Sequence, residues 1–239
     1  MSVVKVVLFD LDETLFDHAN GVEHAVRLLR EDHECLQVKA LDDILAEHRR
    51  ILESMHLDVL AGRISVDHAR IERMRGMFSY CGADISDAAA HAAATLHRQR
   101  YQAVRRAMPG AHQLLETIRA RGVKVVIVTN NLLEEQRDKL AVCGLRPYVD
   151  ALVTSEEFGC TKPDPKLFRI AIAMVGLAPE EAVMVGDAWE TDIVGARNAG
   201  IRAVWFNRMG LPQPGGEAIP EIGALEPAKE VARIILTTP

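Results

Sequence analysis

From Val123 to Phe206 the chain repeats one pattern, a short apolar run followed by a helical stretch, and nothing else in it restricts the fold so strongly. Residues 123–128 read as a buried strand, 132–143 as a helix ended by Gly144, and 151–154 as a short strand. Asp164-Pro165 opens the next helix in the cap-then-proline order and Gly176 closes it. Residues 182–185 read as a strand, 191–199 as a helix ended by Gly200, and 201–206 as a further strand. Repeated β then α at this spacing predicts an α/β fold with a doubly wound, Rossmann-like parallel sheet and right-handed crossovers. The apolar run 3–9 supplies another strand, 209–221 is rich in Gly and Pro and reads as a surface loop, and 226–236 reads as a closing helix.

Between Thr14 and Met108 the pattern is helical instead, over 20–30, 41–60, 65–80 and 86–106. Ser65 and Ser86 stand as N-caps, and Gly62 and Gly82 as stops. Met108-Pro109-Gly110 then breaks the helical run. The chain is therefore expected to form a catalytic core from 1–17 and 109–239, with 18–108 inserted after the first strand as an all-helical cap. The two connections, near 16–21 and 106–110, would both start at the active edge of the sheet, which makes the block a lid.

With 239 residues, 49% of them hydrophobic, the chain can bury one ordinary core and a smaller second unit. Its 34 acidic and 28 basic residues leave a net charge of −6, a field that repels nucleic acid and anionic lipid. Cys35, Cys81, Cys143 and Cys160 are widely spaced, without C-x-x-C, so neither a disulfide framework nor a structural metal is indicated. No signal-peptide order and no membrane-length apolar run is seen, and the expectation is a cytoplasmic protein.

Asp10-Leu11-Asp12-Glu13-Thr14 ends the run 3–9 and puts two carboxylates where a buried strand meets a loop. Residues at i and i+2 of an extended segment face the same side, and the carboxyl edge of an open α/β sheet is where ligands bind. Thr129-Asn130-Asn131, Lys162 in Cys160-Thr161-Lys162-Pro163, and Gly186-Asp187 with Asp192 follow other strands to the same edge. Singly, each has a bland reading as a helix cap, a solvated lysine or a first-turn acid. Together they make a site for a hard cation and an anion: Asp oxygens suit Mg²⁺, which shares substrate phosphate oxygens readily. With Mg²⁺ and Lys162 near a phosphoryl group, one Asp can attack phosphorus and form an aspartyl-phosphate. A second carboxyl can protonate the leaving oxygen and later deprotonate the attacking water. Asp10 and Asp12 supply such a pair, while Thr129 and Asn130 offer a hydroxyl, an amide and backbone N–H groups to phosphate oxygens.

In order and separation, these four motifs resemble those of the haloacid dehalogenase superfamily, over about residues 3–207. The resemblance implies that Asp10 is the nucleophile and a metal ligand, and that Asp12 is the acid/base whose backbone carbonyl also binds Mg²⁺. It implies that Thr129 binds the phosphoryl group, that Asn130 orients phosphate or substrate, and that Lys162 neutralises Asp10 and the transferring group. Asp187 would be a direct metal ligand, and Asp192 would hold metal-bound water or orient Lys162. The helical insertion is similar to the family's first cap type.

Dehalogenases of this superfamily have an aromatic residue where Asp12 stands, so Asp12 points to phosphoryl transfer. Phosphonate-cleaving relatives use a cap lysine, and this cap contains only Lys39. Sugar-phosphate mutases share the core and stand as an alternative, as does a catalytically idle binding module. The segment 60–65, followed by Arg70 and Arg73, resembles the cap of phosphatases acting on nucleoside monophosphates and sugar phosphates. Arg70 and Arg73 could guide an anionic substrate, but a solvated face pairing with Glu72 or Asp67 is preferred. The nine histidines are read as surface residues, with His18 and His24 near the hinge. Trp189 is read as packing. The implied partner is a small phosphorylated metabolite, with no nucleic acid or membrane, and the implied state is a monomer or homodimer.

Overall fold

A computed structural model describes residues 3–215 and 218–237. It divides into two compact units, one of Met1–Asp17 with Arg106–Pro239 and one of His18–Arg105. In chain order, β1 (Val6–Phe9) is followed by α1 (His18–Asp32), a 3-10 turn (Glu34–Val38), α2 (Leu41–Leu60), α3 (Val66–Tyr80) and α4 (Asp87–Ala103). Then come α5 (Ala111–Arg119), β2 (Lys124–Thr129), α6 (Leu133–Val142), β3 (Ala151–Thr154), α7 (Ser155–Phe158), α8 (Pro165–Val175) and β4 (Ala182–Gly186). A π-helical segment (Trp189–Val194) runs into α9 (Gly195–Asn198), and β5 (Arg202–Phe206), β6 (Glu221–Ile222) and α10 (Ala228–Thr237) complete the chain.

The sheet order is β3-β2-β1-β4-β5-β6, with every pairing parallel. This is the doubly wound arrangement expected from the alternation. β1 lies centrally: Phe9 is in register with Ile127 on one side and Val185 on the other. All four β1 residues are buried, so the strand reads as a continuous apolar run rather than an alternating one. Val6 and Leu8 join Val126, Met184, Phe168 and Ile193 in one core cluster. Anchored on both sides, β1 delivers Asp10 at the point where the winding reverses, and Asp10 N donates to Val185 O at 3.0 Å.

Two boundaries differ from expectation. Residues 106–108, expected in the helical block, belong to the sheet unit. Met108 N donates to Leu15 O at 2.8 Å, Phe16 bridges Ala107, and Asp17 N donates to Arg106 O at 3.1 Å. These bonds make 106–108 a strand-like partner of the motif turn, which no apolar run advertises. The helix expected over 191–199 begins instead at Trp189 as a π-helical turn. There Gly186 lets the Asp192 side chain fold back over the strand end, and Asp192 Oδ2 accepts from Ala188 N at 3.0 Å. The short β6 went unpredicted because it holds only two residues at the end of the expected loop 209–221, of which 216–217 lie outside the described residues.

The helical unit carries its expected caps: Ser65 accepts from His68 N at 3.1 Å and Ser86 from Ala89 N at 3.3 Å. Val26, Leu29, Leu36, Met74, Met77 and Phe78 form its core. Two histidines read as surface residues are buried there, His48 at 2% and His97 at 5% exposure, with rings stacked 5.1 Å apart. Neither Nε2 finds a hydrogen-bond partner among the described residues. Burial, with Arg73 and His18 adding to it, pushes His97 down to about 3, and burial likewise holds His48 well below the usual imidazole range. The Arg70 and Arg73 reading also divides. Arg70 pairs with Asp67 at 2.9 Å, but Glu72 pairs with Arg75, and Arg73 Nε is buried, with burial pulling that guanidinium down to about 10. The four cysteines are free thiols. No helix among the described residues is long and apolar enough to cross a membrane.

Candidate active site

Three strand ends meet at the carboxyl edge of the sheet. From the end of β1 comes Asp10, 7% exposed; from β2 comes Thr129, 2% exposed; and after β4 come Asp187, in the loop, and the fully buried Asp192, in the π-helical segment. Lys162, which lies between α7 and α8, reaches into this group and is itself 3% exposed. Its ammonium donates to Asp10 Oδ1 and to Asp192 Oδ1, each at 2.6 Å. Asn130 places that lysine: its Oδ1 accepts from Lys162 N at 2.7 Å and its Nδ2 donates to Lys162 O at 2.8 Å. Asn130 thus clasps the backbone of the lysine loop, a task its sequence position did not disclose. Asp164 caps α8 through Lys166 N at 2.8 Å, fixing the loop's other end.

Gly195 and Gly186 make the remaining contacts possible. A Cβ on Gly195 would sit 2.9 Å from Pro163 Cα, so the helix start approaches the lysine loop only because that atom is absent. Thr14, buried in the motif turn, donates to Asp187 Oδ1 at 3.3 Å. Trp205 Nε1 donates to Asp187 O at 2.8 Å, and Trp189 packs edge-on against Trp205, which is the packing role expected of it. Glu13 holds the left-handed backbone conformation at φ 65°, unusual for a residue with a Cβ, and pairs with Arg208 at 2.9 Å.

One carboxylate oxygen from each of Asp10, Asp187 and Asp192 lies within 4.8 Å of the others. Three carboxylates gather near one ammonium that bonds two of them, Asp10 and Asp192, and burial with the excess of negative charge raises Asp10 and Asp187. Burial, opposed by Lys162 but reinforced by Asp192 and Asp187, holds the Asp10 carboxyl well above its ordinary range. Burial, then Asp192 and Glu13, pushes Asp187 up to about 7. Burial works against the Lys162 charge, yet Asp10 and Asp192 keep that ammonium above its ordinary value. Such a donor set fits a hard divalent cation, which would cancel the surplus charge. Asp10 and Asp187 could hold it, since each has one carboxylate oxygen bonded, by Lys162 and by Thr14, whereas both Asp192 oxygens are engaged, by Lys162 and by Ala188 N.

Asp12 is placed differently. Its carboxylate is not part of that three-acid group but lies against α6, where Lys139 Nζ donates to Oδ1 at 2.6 Å and to Oδ2 at 2.8 Å. Gln136 Nε2 and Asn131 Nδ2 also donate to Oδ2, at 3.0 and 3.1 Å. Sequence reasoning missed Gln136 and Lys139. The available signal was a pair of polar residues at i,i+3 on a helix face that also carries Leu140.

The sequence profile of the haloacid dehalogenase-like hydrolases matches residues 4–200. The chain belongs to that family. Pyrimidine 5'-nucleotidase YjjG of Escherichia coli is 31% identical over 223 residues, covering 89% of this chain and 90% of that one. Phosphoserine phosphatase of Thermus thermophilus is 45% identical over 114 residues, which span 48% of this chain and 45% of that protein. Among solved structures, the magnesium-bound HAD-hydrolase YfnB of Bacillus subtilis aligns with a TM-score of 0.74 at 24% identity, covering 98% of this chain and 99% of that one. That last likeness concerns the fold.

Proposed function

We propose that the protein is a Mg²⁺-dependent phosphoric monoester hydrolase acting on a small phosphorylated metabolite, a nucleoside monophosphate or a sugar phosphate, through an aspartyl-phosphate on Asp10. The observation that carries this reading is the buried pair of Asp10 and Lys162 at 2.6 Å, set among two further carboxylates at a sheet edge. It is a nucleophile beside a fixed positive charge, in a place that disfavours uncompensated anions. The nucleotidase relative, matched over nearly its whole length, supports the substrate class.

In the first step an Asp10 oxygen forms a bond to phosphorus as the ester P–O bond breaks, and the leaving oxygen takes a proton from Asp12. In the second, Asp12 removes a proton from water, which attacks phosphorus and breaks the acyl-phosphate P–O bond to regenerate Asp10. Lys162 faces the charge that builds on the phosphoryl oxygens, Asp192 keeps Lys162 aimed, and Thr129 contributes a hydroxyl at the end of β2. Asn130 orients the phosphate by fixing the lysine loop. Asp10, Asp187 and the Asp12 backbone carbonyl would hold Mg²⁺, which supplies Lewis-acid stabilisation of the phosphoryl oxygens. Asp12 also separates this reading from dehalogenation, because a halide leaves without a proton.

The test is phosphate release from nucleoside monophosphates, sugar phosphates and p-nitrophenyl phosphate, with Mg²⁺, with chelator and with Asp10→Asn. Metal-dependent release abolished in the variant is the expected result. Release that persists in Asp10→Asn overturns the mechanism, and no release from any compound shifts weight to a mutase or a binding role.

A further inference from the structure

Lys139 is a buried lysine with no part in the reaction as written. It is 5% exposed, and its ammonium lies 5.2 Å from the centre of the Phe16 ring while donating to both oxygens of Asp12. Burial of a lysine is rare unless it is paired, and here the partner is the acid/base rather than a structural carboxylate. Gln136, fully buried one turn earlier on α6, aims its amide at the same Asp12 oxygen, as does Asn131 from the loop before the helix. The Gln136 Oε1 finds no partner among the described residues. The residue is therefore held with one end unsatisfied while its other end grips Asp12, a costly arrangement for packing alone.

We propose that Lys139, supported by Gln136 and Asn131, is a positioning residue for Asp12. The three donors fix the carboxylate in one orientation, from which, on this proposal, it meets both the leaving oxygen and the attacking water. The proposal rests on the phosphatase reading above. A carboxylate two residues from Asp10 has several accessible rotamers. Proton transfer tolerates few of them, because donor and acceptor must meet at hydrogen-bond distance. An ammonium contacting both oxygens selects one, and the ring of Phe16 and the α6 backbone in turn fix the ammonium.

The dependence on leaving group separates positioning of an acid from mere upkeep of the fold. A nitrophenolate leaves without help, whereas an alkoxide needs its proton, so kcat/KM should fall unevenly. The experiment compares wild type, Lys139→Met, Lys139→Arg and Gln136→Leu on p-nitrophenyl phosphate and on the best alkyl phosphate of the panel, with Mg²⁺. For Lys139→Met the expected loss is about 100-fold on the alkyl phosphate and less than about 10-fold on the nitrophenyl ester. Lys139→Arg should restore most of it, and the inhibition constant for inorganic phosphate should stay within about twofold. Gln136→Leu, which keeps the lysine, should show the same uneven pattern at smaller size, and it serves if Lys139→Met does not fold. Equal losses on both esters, or none, overturn the proposal while leaving the phosphatase reading intact. Absence of release by the wild type overturns both.

Discussion

Gly186 and Asp192 occupy space that a single extra carbon would contest: a Cβ on Gly186 would lie 2.2 Å from Asp192 Oδ2 and 2.4 Å from its Cγ. Asp192 has nowhere to retreat, being fully buried and bonded to Lys162 and to Ala188 N. Gly186→Ala is therefore expected to push Asp192 off Lys162. Phosphate release should fall at least about 10-fold, and unfolding should cost about 1–3 kcal/mol less, as for other overpacked sites. Steady-state kinetics and denaturant titration check both. An alanine variant with wild-type turnover would show that Asp192 does not aim the lysine.

Lys162→Met removes the one ammonium shared by Asp10 and Asp192. Both carboxylates would then be buried without it, a loss on the order of 3 kcal/mol. On the proposed mechanism, in which Lys162 faces the phosphoryl oxygens, turnover should fall by about 100-fold or more. Thermal unfolding with and without Mg²⁺ is informative here, because a bound cation should recover part of the stability but little of the activity.

The pH dependence of metal binding has a defined sign. Burial, then the neighbouring Asp192, pushes the Asp187 carboxyl up to about 7 from its ordinary value of 3.8. Stability from this group is complete below about pH 4 and is lost as the pH rises towards 7. A divalent cation must displace that proton, so the rise in Tm produced by Mg²⁺ should grow between pH 5 and 7 and level off above. Thermal scans at pH 5, 6, 7 and 8 test this, and a shift independent of pH would exclude Asp187 as a ligand.

His97 acts with the opposite sign in the helical unit. Its folded value of about 3 lies below the ordinary 6.5, so the unfolded chain takes up a proton that the buried ring refuses. Stability is whole above about pH 6.5 and is lost as the pH falls towards 3, by about 2 kcal/mol at pH 5. His97→Leu should narrow the gap between urea midpoints measured at pH 7.5 and pH 5. An unchanged gap would show that the ring is protonated without cost.

Much of this was legible in the chain. Parallel strands buried on both faces leave uninterrupted apolar runs, and helices leave serines and glycines at their ends, so β1, β2 and the caps at Ser65 and Ser86 could be read directly. The polar residues at those strand ends converge because one sheet edge collects them. What escaped reading depends on three-dimensional proximity without a local pattern. Lys139 is one lysine on a charged helix until α6 packs beside Asp12. His48 and His97 look polar until α2 and α4 bring their rings together. The π-helical turn at Trp189–Val194 follows from the fit of Asp192 over Gly186, which no periodicity encodes.

The bond from Asp17 N to Arg106 O, reinforced by the Arg106 guanidinium on Asp17 Oδ2 at 2.7 Å, brings the two ends of the inserted segment together. Topologically, the whole stretch His18–Arg105 is then a single large loop closed at its neck by the sheet unit itself. Lengthening or shortening such a loop alters its closure entropy only logarithmically. Exchange of that stretch for another of different size therefore costs the closed neck little in chain entropy, so that recombination at codons 17 and 106 would leave the sheet unit's own bonding at Asp17 and Arg106 in place.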